Sequence, residues 1–371
     1  MNNTPKFYPN LWGDLQGKLN SSLWPKVTEY WNEGQFQNSF YTLLDYINSE
    51  LRNKHGNKEQ TQFNVPHGSV VVTITLNNQG VEINCPFVDI SEAIKIPLLR
   101  RVAEINFYPL GLAEIRLNSN QLYFYYTTPL DTCEPLKMYY VLKEICQNAD
   151  RFDDEFREKF KAKALVEPKV TPISTGQINT TWASVNDIIT ETYQFIEYFD
   201  SKRWYGSSLD FIIIALKRID LCTQLQGHLK NEVKRVVTEL TDNNVTVTDR
   251  VQNGRKFLAQ IQQMDKDAFA KNLYEAESFV PEKWRGTVQR VKEDVKIPLE
   301  KVEKFHKDQN YIGSCIESLY SIYDMFYQTN MDLAINEILI GSLTMASGKS
   351  WQDASGILLT GLQTVANINN N

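Results

Sequence analysis

The sequence predicts a two-domain protein, with an α+β domain built on an antiparallel sheet followed by an all-α helical bundle. The chain has 371 residues, of which 42% are apolar, which is enough for two hydrophobic cores. Helical and strand periodicities alternate up to about residue 164, whereas nearly every later segment has helical periodicity. Between the two regions, residues 165–181 are rich in Pro, Gly, Ser and Thr, a composition typical of a linker.

The α+β domain is predicted to have the order helix, three strands, helix, two strands, helix. Apolar residues recur at helical spacing in three segments, and strands of alternating pattern are separated by polar turns. The predicted helices cover 35–54, 94–107 and 136–146, with a charged extension over 149–163, and the predicted strands cover about 62–66, 70–76, 81–85, 113–117 and 122–126. The domain boundaries are a Trp-rich helical preface at 1–29, the α+β domain at 30–164, the linker at 165–181 and the bundle at 182–371.

Two hairpin turns set the strand register. Placing Leu76 opposite Val81 brings the apolar residues of the first hairpin onto one face and its polar residues onto the other. Placing Leu117 opposite Leu122 does the same for the second hairpin, and puts Phe124 on the apolar face. The agreement between the two strands of each pair supports both registers.

The helical bundle is predicted from segments whose apolar residues recur every three or four positions. Short connections between long helices are typical of antiparallel bundles. The predicted helices cover 185–199, 207–240, 249–264, 267–279, 283–307, 315–347 and 351–365.

The stretch LLRRVAEINFYPLGLAEIRLNSNQLYFYYTTPLD, residues 98–131, resembles the type III secretion chaperone and YbjN superfamily. The resemblance covers roughly residues 30–150. It rests on a leucine-rich helix that ends in Ile105-Asn106, a short break, two strands around a polar turn, and the closing pair Pro129-Leu130. It implies a non-enzymatic fold that pairs as a dimer and binds segments of other proteins. The large helical domain is a departure from small secretion chaperones.

The second face of the last predicted strand is aromatic. In the strand alternation, Tyr123 and Tyr125 point to the face opposite that of Phe124. The other predicted strands carry polar residues on this outer face. Burial of a large apolar side chain contributes roughly 1.5 to 3 kcal/mol, so these tyrosines are candidates for a contact. Three partners could cover this aromatic face: the chain's own helical domain, a second copy in a homodimer, or a segment of another protein. The candidate contact residues are Tyr123, Tyr125, Arg116, Glu114, Leu98 and Val102.

Charge and composition narrow the class of protein. The net charge of −6 argues against nucleic acid as the main partner, because binding to phosphates needs a basic excess. Five widely spaced cysteines, set among apolar neighbours, indicate reduced thiols and a cytoplasmic location. No signal peptide and no membrane span are predicted, since the most apolar runs are short or interrupted by polar residues.

No motif predicts a catalytic residue, a cofactor or a metal site. Gly348-Lys349-Ser350 lacks the first glycine of a phosphate loop, where Leu343 stands, and instead indicates a helix end followed by a cap at Ser350. The four histidines have no ligand at metal-binding spacing. The sequence therefore predicts a non-catalytic protein-binding protein of bacterial type: a chaperone, an adaptor or an assembly subunit. The alternatives are an enzyme with its site in a cleft between the domains and a purely architectural oligomer subunit.

Overall fold

The computed structural model describes residues 3–7, 19–77, 79–167, 170–223 and 225–368. The chain folds into two compact units, and each is made of separate stretches of sequence. The α+β unit contains Lys18–Pro172 and Tyr274–Glu282. The helical unit contains Met1–Gly17, Ile173–Leu273 and Lys283–Asn371. The predicted combination of helices with an antiparallel sheet is confirmed.

The α+β unit follows the predicted order of helix, three strands, helix, two strands and helix, except that the predicted first helix at 35–54 is divided into two helices. A helix from the predicted preface precedes this series, and short strands follow it. Its helices are α1 (Trp24–Asn32), α2 (Phe36–Ile47), α3 (Leu51–His55), α4 (Lys95–Phe107) and α5 (Pro135–Phe160). Its strands are β1 (Gln62–His67), β2 (Val70–Asn77), β3 (Gly80–Asp89), β4 (Glu114–Asn118), β5 (Gln121–Thr128), β6 (Lys163–Ala164), β7 (Thr171–Pro172) and β8 (Tyr274–Glu275).

The main sheet has the strand order β1-β2-β3-β5-β4, with β6 paired to β3, and all of these pairs are antiparallel. Both predicted registers are confirmed, since Leu76 pairs with Val81 and Leu117 pairs with Leu122. One face of the sheet packs against the helices, because alternate strand residues and the helix stripes are apolar. The unit therefore has one core, in which Phe124 is fully buried.

The helical unit contains nine described helices and one small sheet. Its helices are α6 (Thr175–Ser201), α7 (Tyr205–Thr223), α8 (Gly227–Leu240), α9 (Val247–Gln263), α10 (Lys266–Ala270), α11 (Val288–Lys307), α12 (Tyr311–Gln328), α13 (Leu333–Ala346) and α14 (Trp351–Ala366). The strands β9 (Trp284–Gly286) and β10 (Thr329–Met331) pair in parallel, so the predicted all-α description is incomplete. Helix α7 supplies residues to both hydrophobic clusters of the unit. None of the helices in the described part of the chain combines the length and the hydropathy needed to cross a membrane.

Several helix boundaries differ from the prediction. The segments 207–240 and 315–347 each form two helices, because periodicity alone does not detect a break between two apolar helices. Helix α6 begins at Thr175, inside the predicted linker. A capping box explains this start, since Ser174 accepts a hydrogen bond from the Gln177 backbone N–H and the Gln177 side chain accepts one from the Ser174 N–H.

The predicted helix at 267–279 is wrong beyond Ala270. Residues 274–282 are part of the α+β unit, where Phe279 and Val280 are buried in the core. A proline at 281 disfavours helical backbone at the residue before it. The backbone N–H groups of Phe279 and Val280 instead donate to Nδ1 of the buried His67, at 3.0 and 3.4 Å. The predicted continuous bundle at 182–371 is therefore interrupted by a segment of the other unit.

Candidate protein-contact site

The two tyrosines of β5 lie on the sheet face opposite the core, as the strand alternation predicts. Tyr123 pairs with Arg116 and Tyr125 pairs with Glu114 on the edge strand β4. Between them, Phe124 is fully buried, whereas both tyrosines are partly exposed. The four predicted residues Tyr123, Tyr125, Arg116 and Glu114 thus form one cluster on the outer face of the sheet.

This cluster has its own polar contacts. The Arg116 guanidinium lies 4.0 Å from the centre of the Tyr125 ring and forms an ion pair of 2.6 Å with Glu114. The Tyr125 hydroxyl donates to Glu82 at 3.2 Å, and burial together with the Glu82 charge raises the pKa of Tyr125. The Tyr123 hydroxyl donates to Gln121. The surface is therefore an aromatic and ionic patch rather than a purely apolar one.

Leu98 and Val102 do not form part of any exposed surface. Both residues lie on the inner side of α4, and Leu98 is 0% exposed. They pack in the core of the α+β unit because helical spacing aligns them with Ile105 over the sheet. Their assignment as accessible contact residues is corrected accordingly.

The outer side of α4 carries a second row of apolar residues, which the sequence reasoning missed. Ile96 is 69% exposed, Phe107 is 90% exposed, and Leu99 and Ala103 between them are also exposed. The spacing i, i+3, i+7, i+11 places these four residues on one stripe of the helix, hereafter the α4 stripe. The helical spacing of these residues was visible in the sequence, but spacing alone does not say which apolar side of a helix faces the core.

Three further exposed residues flank the α4 stripe. Tyr108 and Leu112 lie in the loop after α4, and Leu117 lies on β4, which packs beside α4. If a fully exposed aromatic or aliphatic residue presents about 150 to 250 Å², the stripe and its flank expose roughly 700 Å² of apolar residues. A typical monomer exposes no apolar patch larger than about 300 to 600 Å². The α4 stripe with Tyr108, Leu112 and Leu117 is hereafter the α4 surface.

The backbone edge next to the α4 surface is blocked at Ile115. The Asn106 side chain donates to the Ile115 carbonyl at 3.0 Å and accepts from the Ile115 N–H at 2.6 Å, so it occupies both backbone groups of Ile115 on the open side of β4. Glu144 accepts hydrogen bonds from the backbone N–H groups of the preceding loop, with the shortest at 2.8 Å from Gly111. A partner here would meet side chains rather than a free strand edge.

The helical unit contains a buried charged cluster. The Lys217 ammonium, whose side chain is almost fully buried, forms an ion pair of 2.5 Å with Asp324 and lies 4.6 Å from the Tyr320 ring centre. Burial lowers the pKa of Lys217, although the Asp324 charge acts in the opposite direction. Burial also raises the pKa of Asp210, which is on the same helix, to about 6. Lys217, Asp324 and Asp210 thus place ionisable groups inside the helical unit. The periodicity of the sequence did not indicate this cluster.

The His, Cys, Asp and Glu side chains of the described residues are not arranged for metal or thiolate chemistry. Within the described residues, no three or more His, Cys, Asp or Glu side chains are placed to hold a metal ion. All five cysteines are buried, and burial raises the pKa of Cys133 to about 11 and that of Cys315 to about 12, which disfavours thiolates at neutral pH. Gly348 adopts a φ of +66° and Ser350 caps α14, as expected for a helix end.

Comparisons of the chain with protein-family models, with curated proteins and with solved structures found no match.

Proposed function

We propose that this protein is a non-catalytic protein-binding protein, acting as a chaperone, an adaptor or an assembly subunit, and that its α+β unit is the binding module. The α4 surface is the observation that carries the proposal. A helix with apolar residues on two opposite sides is expected to pack against protein on both sides. Within the α+β unit, only the Leu98 side of α4 is buried in the core, and the α4 stripe is left exposed.

The occupant that fits the α4 surface is a second copy of the chain. An exposed area of roughly 700 Å² approaches the ~800 Å² that each partner buries in a standard interface. In an antiparallel pair of α4 helices, the small Ala103 lies near the crossing and permits close approach. Arg100, which forms no ion pair within the described residues, then faces Glu104 of the other copy, which is also paired with Arg101 of its own chain at 2.9 Å. A twofold interface makes this pairing reciprocal.

The outer face of the sheet is the second surface of the proposal. Tyr123 and Tyr125 offer aromatic rings, and Arg116 and Glu114 offer charges of both signs, to a segment of a partner protein. The resemblance of residues 30–150 to the secretion chaperone and YbjN superfamily supports this role. The five free, buried cysteines support a cytoplasmic location.

Replacing Ile96 by Glu tests the role of the α4 surface in association. We expect the unchanged protein to be a dimer by sedimentation equilibrium and the Ile96→Glu variant to be a monomer. An unpaired charge buried in an interface costs several kcal/mol, so the dissociation constant should rise about 100-fold or more. The urea unfolding midpoint of the monomer should be unchanged, because Ile96 lies outside the core.

Ile297→Glu is the matched control. Ile297 lies on α11 and is 68% exposed, nearly the same as Ile96, but it is not part of the α4 surface. The Ile297→Glu variant should stay dimeric. The concentration of ~100 µM is well above the dissociation constants of stable dimers. If the protein without substitutions is a monomer at this concentration, the proposal is contradicted. A dimeric Ile96→Glu variant would also contradict it.

A further inference from the structure

Residues 3–7 lie in extended form against the turn between α13 and α14, within the helical unit. The Thr4 N–H donates to the Lys349 carbonyl at 2.9 Å, and the Thr4 hydroxyl donates to the Ala346 carbonyl at 2.6 Å. The Phe7 N–H donates to the Ser347 hydroxyl at 2.9 Å. Asn3 forms an antiparallel bridge with Ser350. The turn thus holds residues 3–7, hereafter the arm, largely through backbone groups.

A buried ion pair completes the binding site for the arm. The Lys6 N–H donates to Glu191 at 2.8 Å, and the Lys6 carbonyl accepts a hydrogen bond from Arg218. Arg218 and Glu191 are themselves paired at 3.1 Å, and the Arg218 side chain is 3% exposed. A buried guanidinium that loses an acceptor is costly, so this site favours a segment that offers a backbone carbonyl to Arg218.

The site recognises a definite pattern of residues. Thr4 and Pro5 are buried, and the Phe7 ring packs against the hydrophobic cluster that includes Leu343. Proline suits the second position because its backbone needs no hydrogen-bond acceptor and its φ fits an extended chain. Lys6 is exposed and contributes only its backbone groups to the contacts described. The ligand of this site is an extended Thr-Pro-x-Phe segment.

We propose that the α13–α14 turn, with Glu191 and Arg218, is a segment-binding site, and that a second copy of the chain supplies its ligand by exchange of the arm. Every copy carries one arm and one site of identical chemistry, so exchange preserves all the contacts described. Protein concentration then decides between the closed and exchanged forms. This proposal goes beyond the α4 surface and uses none of its residues.

A disulfide test distinguishes exchange from closure. Asn3 lies opposite Ser350 in the bridge, and residues paired in this way have Cα atoms about 4.5 to 5.5 Å apart, within disulfide range. One chain carries Asn3→Cys and a differently tagged chain carries Ser350→Cys; the two are mixed, incubated and oxidised. We expect a covalent heterodimer that increases with protein concentration. The native cysteines are buried and should not compete.

Leu333→Cys replaces Ser350→Cys in the control mixture. Leu333 is exposed at the opposite end of α13, about 20 Å from the turn at 1.5 Å per residue, so no heterodimer is expected. A chain carrying both Asn3→Cys and Ser350→Cys should close its own disulfide when dilute. If the intramolecular disulfide forms in that chain but no heterodimer forms in the mixture, exchange is overturned. If neither disulfide forms, the docking of the arm is overturned.

Repeating the mixture with Ile96→Glu in both chains separates this inference from the proposed function. A heterodimer that persists in this background supports exchange without the α4 surface. Its loss overturns exchange as an independent mode of association.

Discussion

At the scale of single residues, Asp210 illustrates the cost of burying charge in the helical unit. Burial and the Glu317 charge raise its pKa, Lys301, Arg250 and Lys217 lower it, and the net pKa is about 6. Asp210 has no hydrogen bond or ion pair within the described residues. The folded state therefore binds the proton more tightly than the unfolded chain, in which an aspartate has a pKa of about 3.9.

The contribution of Asp210 to stability should consequently fall as the pH rises through the interval from about 4 to about 6 and stay low above it, because ionised Asp210 is disfavoured in the folded state. The Asp210→Asn variant removes this penalty. We expect its free energy of unfolding to exceed that of the unchanged protein by up to about 3 kcal/mol at pH 8, and by much less at pH 4. Urea titrations at the two pH values measure this difference.

Asp187→Asn, on the exposed side of α6, is the control for Asp210→Asn and should have little effect at either pH. If Asp210→Asn increases the free energy of unfolding equally at both pH values, the charge of Asp210 is not the cause of the increase.

At the scale of secondary-structure elements, α4 and β4 are joined through one side chain. Asn106 binds both the N–H and the carbonyl of Ile115, which an edge strand would otherwise offer to another chain. This contact gives a structural role to the asparagine of the Ile105-Asn106 pair on which the family resemblance partly rests.

Asn106→Asp keeps the acceptor for the Ile115 N–H but replaces the donor by a second carboxylate oxygen facing the carbonyl. We expect the free energy of unfolding to fall by about 1 to 3 kcal/mol. Hydrogen exchange of the β4 amides should also accelerate. Asn118→Asp, at the exposed end of the same strand, is the control and should change both quantities little. Equal effects of the two substitutions would argue against the role assigned to Asn106.

Strand pairing in the α+β unit was predictable because it depends on local patterns. Alternation and the polar turns specified the registers at Leu76 and Leu117 and the outward position of Tyr125. Helix ends were less predictable, since the helix ends at Thr223 and Gln328 leave the apolar periodicity almost unchanged. The α4 stripe was visible in the helical spacing, but periodicity alone does not say which of two apolar faces the sheet will cover.

At the scale of the whole molecule, each unit is completed by residues that are distant in sequence. The arm at 3–7 is bound in the helical unit, and residues 274–282 complete the α+β unit. Within the α+β unit, Glu277 is paired with Lys54 at 2.5 Å and its carbonyl accepts from the Gly68 N–H at 2.9 Å. The contacts of Glu277 could not be predicted from local patterns, because the residues it contacts lie more than 200 positions before it in the sequence.

Because residues 274–282 are part of the α+β unit, we predict that residues 18–172 alone form an incomplete domain. Pro172 pairs with Tyr274 in the antiparallel β7–β8 ladder, so a two-residue Asn-Gly turn can join 18–172 directly to 274–282. We expect the joined fragment to be more stable than 18–172 alone by roughly 4 kcal/mol, because it buries Phe279 and Val280. Urea unfolding of both fragments measures the difference, and the joined fragment with Phe279→Ala and Val280→Ala should lose most of the gain. Equal stability of 18–172 with and without the added segment would show that the α+β unit is complete without residues 274–282.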